Sequence, residues 1–164
     1  MLKFFFLPLV MFCFMGNLMA QKTFPIPDLV TVDLETVALS DYVGNGKPTV
    51  IAIWATWCQP CHMELDHMTS YLDKWENEYG AQVLAISIDK RYMINRIKPL
   101  VSRKGWKYNV LVDPNGQLQA ALGFQSIPQM FILDGTGKIV QRFSRYESGQ
   151  EAKVDRTIRR LASK

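Results

Sequence analysis

Cysteine is scarce in this chain: three occur in 164 residues, at positions 13, 58 and 61. That excludes a stapled secreted mini-domain, in which four or more cysteines bridge distant segments. No apolar run is long enough to span a bilayer, since Phe4–Met15 offers a dozen residues where roughly 20 are needed. Strong charge of one sign is also missing, the formal net charge being +4. Basic residues concentrate at Lys98–Lys107 and at Arg156, Arg159 and Arg160. They are not interleaved with the aromatic platforms of nucleic-acid binders. We read them as solvated helix faces and expect no nucleic-acid partner. Repeats and low-complexity segments are absent too. What is present is the composition of one ordinary globular domain, 48% apolar and 21% charged, in a chain long enough for a single core.

The first twenty residues stand apart from that domain. Lys3 supplies a positive start, the apolar run follows, Gly16-Asn17 breaks it, and Leu18-Met19-Ala20 ends on a small residue at a cleavage position. We read residues 1–20 as a cleaved secretory signal peptide rather than a membrane anchor. The mature chain is then expected in the periplasm or another extracytoplasmic space. Lipidation at Cys13 is disfavoured because Phe12 before it is large. Lys3 is the only charged residue of the segment, so cleavage leaves a charge of +3 and only Cys58 and Cys61. A bridge between those two closes a four-residue span and removes little chain entropy. It would be kept for chemistry more than for stability.

Residues 21–47 read as an N-terminal extension and 48–164 as the main domain, together one compact unit. Phe24-Pro25-Ile26-Pro27 is extended, because each proline biases the residue before it away from helix. Leu29–Leu34 and Thr36–Leu39 alternate and predict a hairpin, followed by a turn at Gly44-Asn45-Gly46-Lys47-Pro48. Thr49–Ala55 is continuously apolar and rich in β-branched residues, which predicts a strand buried on both faces. From Pro60 the period becomes 3.6, with Met63, Leu65, Met68, Tyr71, Leu72 and Trp75 on one side and Gly80 closing the helix. Further strands are predicted over Val83–Ile88, Tyr108–Val112, Gln129–Leu133 and Lys138–Phe143, the last two joined by Asp134-Gly135-Thr136-Gly137. Helices are predicted over Tyr92–Val101, bent or shortened by Pro99, over Leu118–Leu122 and over 149–162. This order implies α/β layers, parallel in the middle of the sheet and antiparallel at one edge. Active sites of such sheets lie at the carboxyl ends of strands, where Cys58 falls.

Trp57-Cys58-Gln59-Pro60-Cys61-His62 admits three chemistries: a redox dithiol, half of a zinc site, or c-type haem attachment completed by His62. Zinc needs about four ligands, and Cys58, Cys61, His62 and His67 sit too close on one helix to wrap a tetrahedron. Haem needs a second axial ligand and an apolar pocket, and nothing nominates one of the eight methionines. A dithiol suits the strand-to-helix junction. Unpaired N–H groups and the helix dipole favour a thiolate at Cys58. Cys61, three residues on, shares its face and can reach a mixed disulfide held on Cys58. We expect Cys58 to attack and Cys61 to resolve, with Gln59 and Pro60 tuning the stiffness of the motif and no cofactor required. Trp57 is expected to cover part of the dithiol and offer a contact surface, His62 to lie on the helix surface, and Trp54, Met63, Met68 and Tyr71 to be core. The alternatives are a c-type haem electron carrier and a thiol peroxidase. The latter usually has threonine three residues before its cysteine, and here Thr56 stands two before.

Ile53-Trp54-Ala55-Thr56-Trp57-Cys58-Gln59-Pro60-Cys61, with Ser126-Ile127-Pro128 before one strand and Asp134-Gly135-Thr136-Gly137-Lys138-Ile139-Val140 after it, resembles the thioredoxin superfamily. Within it, the chain is most similar to the exported TlpA/ResA-like thiol-disulfide oxidoreductases, from about Pro27 to the last helix. The resemblance implies a thioredoxin-like three-layer α/β fold, a central mixed sheet flanked by helices, with an N-terminal β-hairpin extension. It also implies a cis-proline at Pro128 facing the dithiol, with the Ile127 backbone offered to an incoming strand. The buried acid that many thioredoxins carry on the central strand is replaced by Ala52, while Glu64 matches the glutamate this group has three residues after its second cysteine. Glu64 is thereby assigned the proton of Cys61. Gln129 stands where the family often has threonine. The implied substrates are disulfide-containing exported proteins, apocytochromes c among them. The implied electron donor is a membrane thiol-disulfide carrier, the direction is reducing, and we expect a monomer.

Overall fold

The computed structural model describes residues 22–163. The signal-peptide reading, with Cys13 and the cleavage position near Ala20, lies outside the described residues. Seven strands build one sheet: β1 (Asp28–Thr31), β2 (Thr36–Ala38), β3 (Thr49–Trp54), β4 (Gln82–Ser87), β5 (Asn109–Val112), β6 (Gln129–Leu133) and β7 (Ile139–Phe143). Their spatial order is β2-β1-β5-β4-β3-β6-β7. The helices are α1 (Gln59–Asp73), α2 (Ile97–Lys104), α3 (Gln117–Leu122) and α4 (Glu151–Ala162).

β3, β4 and β5 run parallel. The predicted antiparallel edge at β6 and β7 is present. The other side is antiparallel as well, because β1 pairs with both β2 and β5. One antiparallel edge was expected and two are found. The reason is that the N-terminal hairpin is a part of the sheet: Leu29 is buried, and Val30 is registered against Val112.

Every residue of β3 is buried, as its apolar run predicts. Alternation along the strand sends Val50, Ala52 and Trp54 to one face and Ile51 and Ile53 to the other. The first set packs with Leu65, Met68 and Leu72 of α1, Ile97 and Leu100 of α2, and Val154 and Ile158 of α4. The second packs with Leu118 and Leu122 of α3 and with Phe24. This makes three layers with two apolar seams, each fully buried Leu, Ile or Val contributing about 1.5–3 kcal/mol. Among the described residues no helix is long and apolar enough to cross a membrane.

Two helices differ from their sequence reading. In α1 the buried stripe is Cys61, Leu65, Met68 and Leu72, continued by Trp75. Met63 is 44% exposed; it lies two residues from Cys61, about 200° around the helix, and so on the far side. Pro99, expected to bend or shorten the helix near it, sits in the first turn of α2, where its missing N–H has no partner to lose. A 3₁₀ segment, Arg91–Arg96, precedes α2, and Gly105 closes it in the left-handed conformation.

Candidate active site

Three strand ends meet at the Cys58 stretch. Trp54, the last residue of β3, is registered against Ser87, the last of β4. Ile53 opposes Gln129 at the start of antiparallel β6, so the next step along the ladder sets Pro128 across from Trp54. The Ile127–Pro128 bond is cis. The motif's two strands and its cis-proline loop, distant in sequence, are neighbours through this register.

Cys58 is the N-cap of α1, extended in conformation, and its sulfur accepts a hydrogen bond from the Cys61 N–H at 3.3 Å. Pro60 sits in the first turn, where the N–H it lacks would have had no helical partner. A disulfide joins Cys58 to Cys61, with their Cα atoms 5.3 Å apart. Cys61 is fully buried and Cys58 retains 4% exposure, which places Cys58 on the accessible side of the pair. Gln59 and Pro60 are exposed beside it. Trp57, 62% exposed, forms a ridge between two recesses. One, of about 450 Å³, is lined by Ile88, Tyr92, Met93, Phe124 and Ile127. The other, of about 520 Å³, is lined by Gln59, Arg96, Arg103 and Lys104.

The loop between β3 and α1 is held from behind by Asp89, a residue the sequence reading missed. It is buried, and its carboxylate accepts from the Thr56 N–H at 2.8 Å, the Thr56 hydroxyl at 2.9 Å and the Ser87 hydroxyl at 2.7 Å. Its position just past β4, at the carboxyl end of a strand, was the available signal. Thr56 is thereby committed to the loop clamp.

Glu64 lies one turn along α1 from Cys61 on the same face and is buried. Burial pushes its carboxyl up to about 7; the hydrogen bond from Gln150 pulls the other way, and the charge of nearby Glu151 pushes up again. The Gln150 amide donates to Glu64 Oε1 at 2.6 Å, while Oε2 has no partner among the described residues. Glu151 is buried as well, its Oε1 3.9 Å from His67 Nδ1. His67 in turn contacts the Tyr146 hydroxyl. Gln150, 86 residues from Glu64 along the chain, caps α4 and Glu151 begins it, and no local pattern announces them.

His62 is a correction. Expected on the helix surface, it is buried with its ring edge-on to Trp54 and Trp106 at 6.1 and 5.8 Å between centroids. Its Nε2 lies 3.3 Å from the Ala55 carbonyl and in the neutral ring donates to it. Burial lowers its pKa, against the opposing pull of that carbonyl. An imidazole so engaged, beside two cysteines bonded to each other, does not suit a haem ligand. Gln129 is also structural: its amide donates to the Ser126 and Ser144 carbonyls and its oxygen accepts from Arg142, which ties the cis-proline loop to β7.

Residues 20–142 match the model of the AhpC/TSA family. The chain belongs to that family. Its fold is thioredoxin-like: a thioredoxin-like protein of Porphyromonas gingivalis is 36% identical, with a TM-score of 0.73 over 85% of this chain and 91% of that one. A thiol:disulfide interchange protein DsbE of Chlorobium tepidum shares the fold at 21% identity and a TM-score of 0.74, over 87% of this chain and 96% of that one. The thiol-disulfide oxidoreductase ResA of Bacillus thuringiensis subsp. konkukian is 30% identical over 117 residues, which cover 70% of this chain and 65% of ResA. The chain thus spans just under two thirds of that relative's length. Within the family, the pair spaced as Cys58 and Cys61 is the feature this chain has to work with, and the α/β surroundings of that pair disfavour the electron-carrier alternative.

Proposed function

We propose that this chain is an exported thiol-disulfide oxidoreductase of the TlpA/ResA-like kind. The observation that carries the reading is a disulfide between Cys58 and Cys61 at the start of α1, preceded by an exposed Trp57 and formed at the end of the sheet where the strand register sets cis-Pro128 across from Trp54. The likeness to ResA supports it.

In the reducing direction the Cys58 thiolate attacks one sulfur of a substrate disulfide, forming a mixed disulfide and expelling the other substrate sulfur as thiolate. The Cys61 thiolate then attacks the Cys58 sulfur. The second substrate thiolate leaves, and the Cys58–Cys61 bond forms. Two electrons pass to the substrate, which gains two protons. Glu64 takes the Cys61 proton as the second attack develops, since a carboxyl near pH 7 can both accept and return it. Trp57, Gln59, Pro60 and half-buried Ile127 form the surface against which the substrate segment lies, with Pro128, itself buried, setting the Ile127 backbone through their cis bond. The substrates are exported disulfide-containing proteins, with apocytochrome c one class, and a membrane thiol-disulfide carrier restores the dithiol.

The test is exchange with a disulfide-bonded protein by the reduced chain. Cys58→Ser is expected to abolish it, and retained exchange in that variant would sink the reading. The potential of the pair sets the direction: a value near that of thioredoxin, about −270 mV, supports a reductant, and one near about −120 mV an oxidant.

A further inference from the structure

Seven basic residues lie between Lys90 and Lys107, with no acid among them. By sequence they are a solvated face, and the structure sets part of that face beside the dithiol. Two of the seven are neutralised, Lys98 by Asp33 at 3.0 Å and Lys104 by Asp66 at 2.7 Å. Arg96 and Arg103 have no anionic partner among the described residues. Both line the 520 Å³ recess on one side of Trp57, together with Lys104 and Leu100. Arg96, at the end of the 3₁₀ segment, and Arg103, in α2, share this recess with a mostly buried leucine. The opposite wall is Thr56, Trp57 and Gln59, and the last two are the chain neighbours of Cys58. Asp89, the acid behind that wall, has its oxygens taken up by Thr56 and Ser87. The recess is therefore cationic where it borders the reacting sulfur.

We propose that this groove selects protein substrates with acidic side chains within a few residues of the reacting cysteine. The proposal rests on the thiol-disulfide reading. Arg96 and Arg103 offer planar, forked donors that carboxylates fit two at a time. Both are exposed, so their effect falls on the rate of productive encounter and is screened by salt.

The experiment uses the reduced chain and synthetic peptides with one cysteine capped as a 2-pyridyl disulfide, flanked by glutamate, glutamine or lysine. Cys58 attacks the peptide sulfur and expels pyridine-2-thione, which is read by absorbance; Cys61 then releases the peptide thiol. At low salt the glutamate peptide is expected to react about tenfold faster than the glutamine peptide. That ratio should fall toward one as salt is raised. It should also fall toward one in Arg96→Gln/Arg103→Gln and invert in favour of lysine in Arg96→Glu/Arg103→Glu. Equal rates for the three peptides at low salt, or a preference unchanged in both double variants, would overturn the proposal while leaving the oxidoreductase reading intact. So would adsorption of the chain to phosphatidylglycerol vesicles with no preference among peptides. Absence of exchange with every peptide would overturn the oxidoreductase reading, and this proposal with it.

Discussion

Two buried carboxylates flank the dithiol, and they are built in opposite ways. Asp89, on the loop side, receives three donors across its two oxygens. Glu64, on the helix side, receives one and leaves Oε2 with none among the described residues. A fully hydrogen-bonded acid fixes its neighbours. A half-satisfied one in an apolar wall holds its proton to about pH 7. The first arrangement gives the Cys58 loop its shape, and the second gives the site a group that can change charge near neutral pH.

The largest effect that would sharpen this contrast is expected from Asp89→Ala. It strands the Thr56 N–H and two hydroxyls, and at about 1–3 kcal/mol for each orphaned group the loss is roughly 4 kcal/mol after partial access of water. Urea unfolding of the oxidised protein measures it; a loss below about 1 kcal/mol would show that Asp89 does not clamp the loop.

Glu64→Gln comes next, and its signature is a pH slope. The folded-state value of about 7 lies above the ordinary 4.5. Between those values the folded chain holds a proton that the unfolded chain has released, so stability falls as pH rises through that window and is flat on either side. The size is about 3 kcal/mol, fully present below pH 4.5 and lost above about pH 7. In the oxidised protein the cysteines do not titrate, and buried His62, whose pKa is lowered, adds a slope of opposite sign. The difference in urea midpoints between the parent and the glutamine variant across pH is therefore what reads Glu64. That difference should shrink from pH 4.5 to about 7, and a difference that does not change with pH would remove Glu64 from the account. The pH dependence of exchange should change in the same variant.

The smallest effects separate the neighbours of Glu64. Its carboxyl should titrate higher in Gln150→Ala, which removes a donor, and lower in Glu151→Gln, which removes a like charge. Carbon NMR of the labelled carboxyl reads both, and movement in the same direction in the two variants would contradict the geometry.

Much of this was legible in the residues. The buried β3 run, the switch to helical period at Pro60 and the spacing of Cys58 and Cys61 are local patterns, and local patterns survive folding because neighbours in sequence stay neighbours in space. Trp54 and Met68 are core, as their local patterns predict, for the same reason. Met63 was misplaced by a half turn because an apolar residue near a stripe resembles a member of it. His62 differs from its sequence reading because a histidine at a helix start is polar by type, and Trp106, 44 positions on, joins Trp54 to wall it in. Asp89 had a readable position but no motif. Gln150 and Glu151 had neither.

The chain's order of residues settles which two sulfurs can meet and that they meet at the mouth of a helix, because four consecutive residues close that geometry. It does not settle the charge around them. The single hydrogen bond to Glu64 comes from the start of α4, the clamp on Thr56 from the end of β4, and the cationic wall beside Gln59 from the 3₁₀ segment and α2. Each comes from a separate element that the sheet order brings to one end of the molecule, and electrostatics depends on distance through space rather than along the chain.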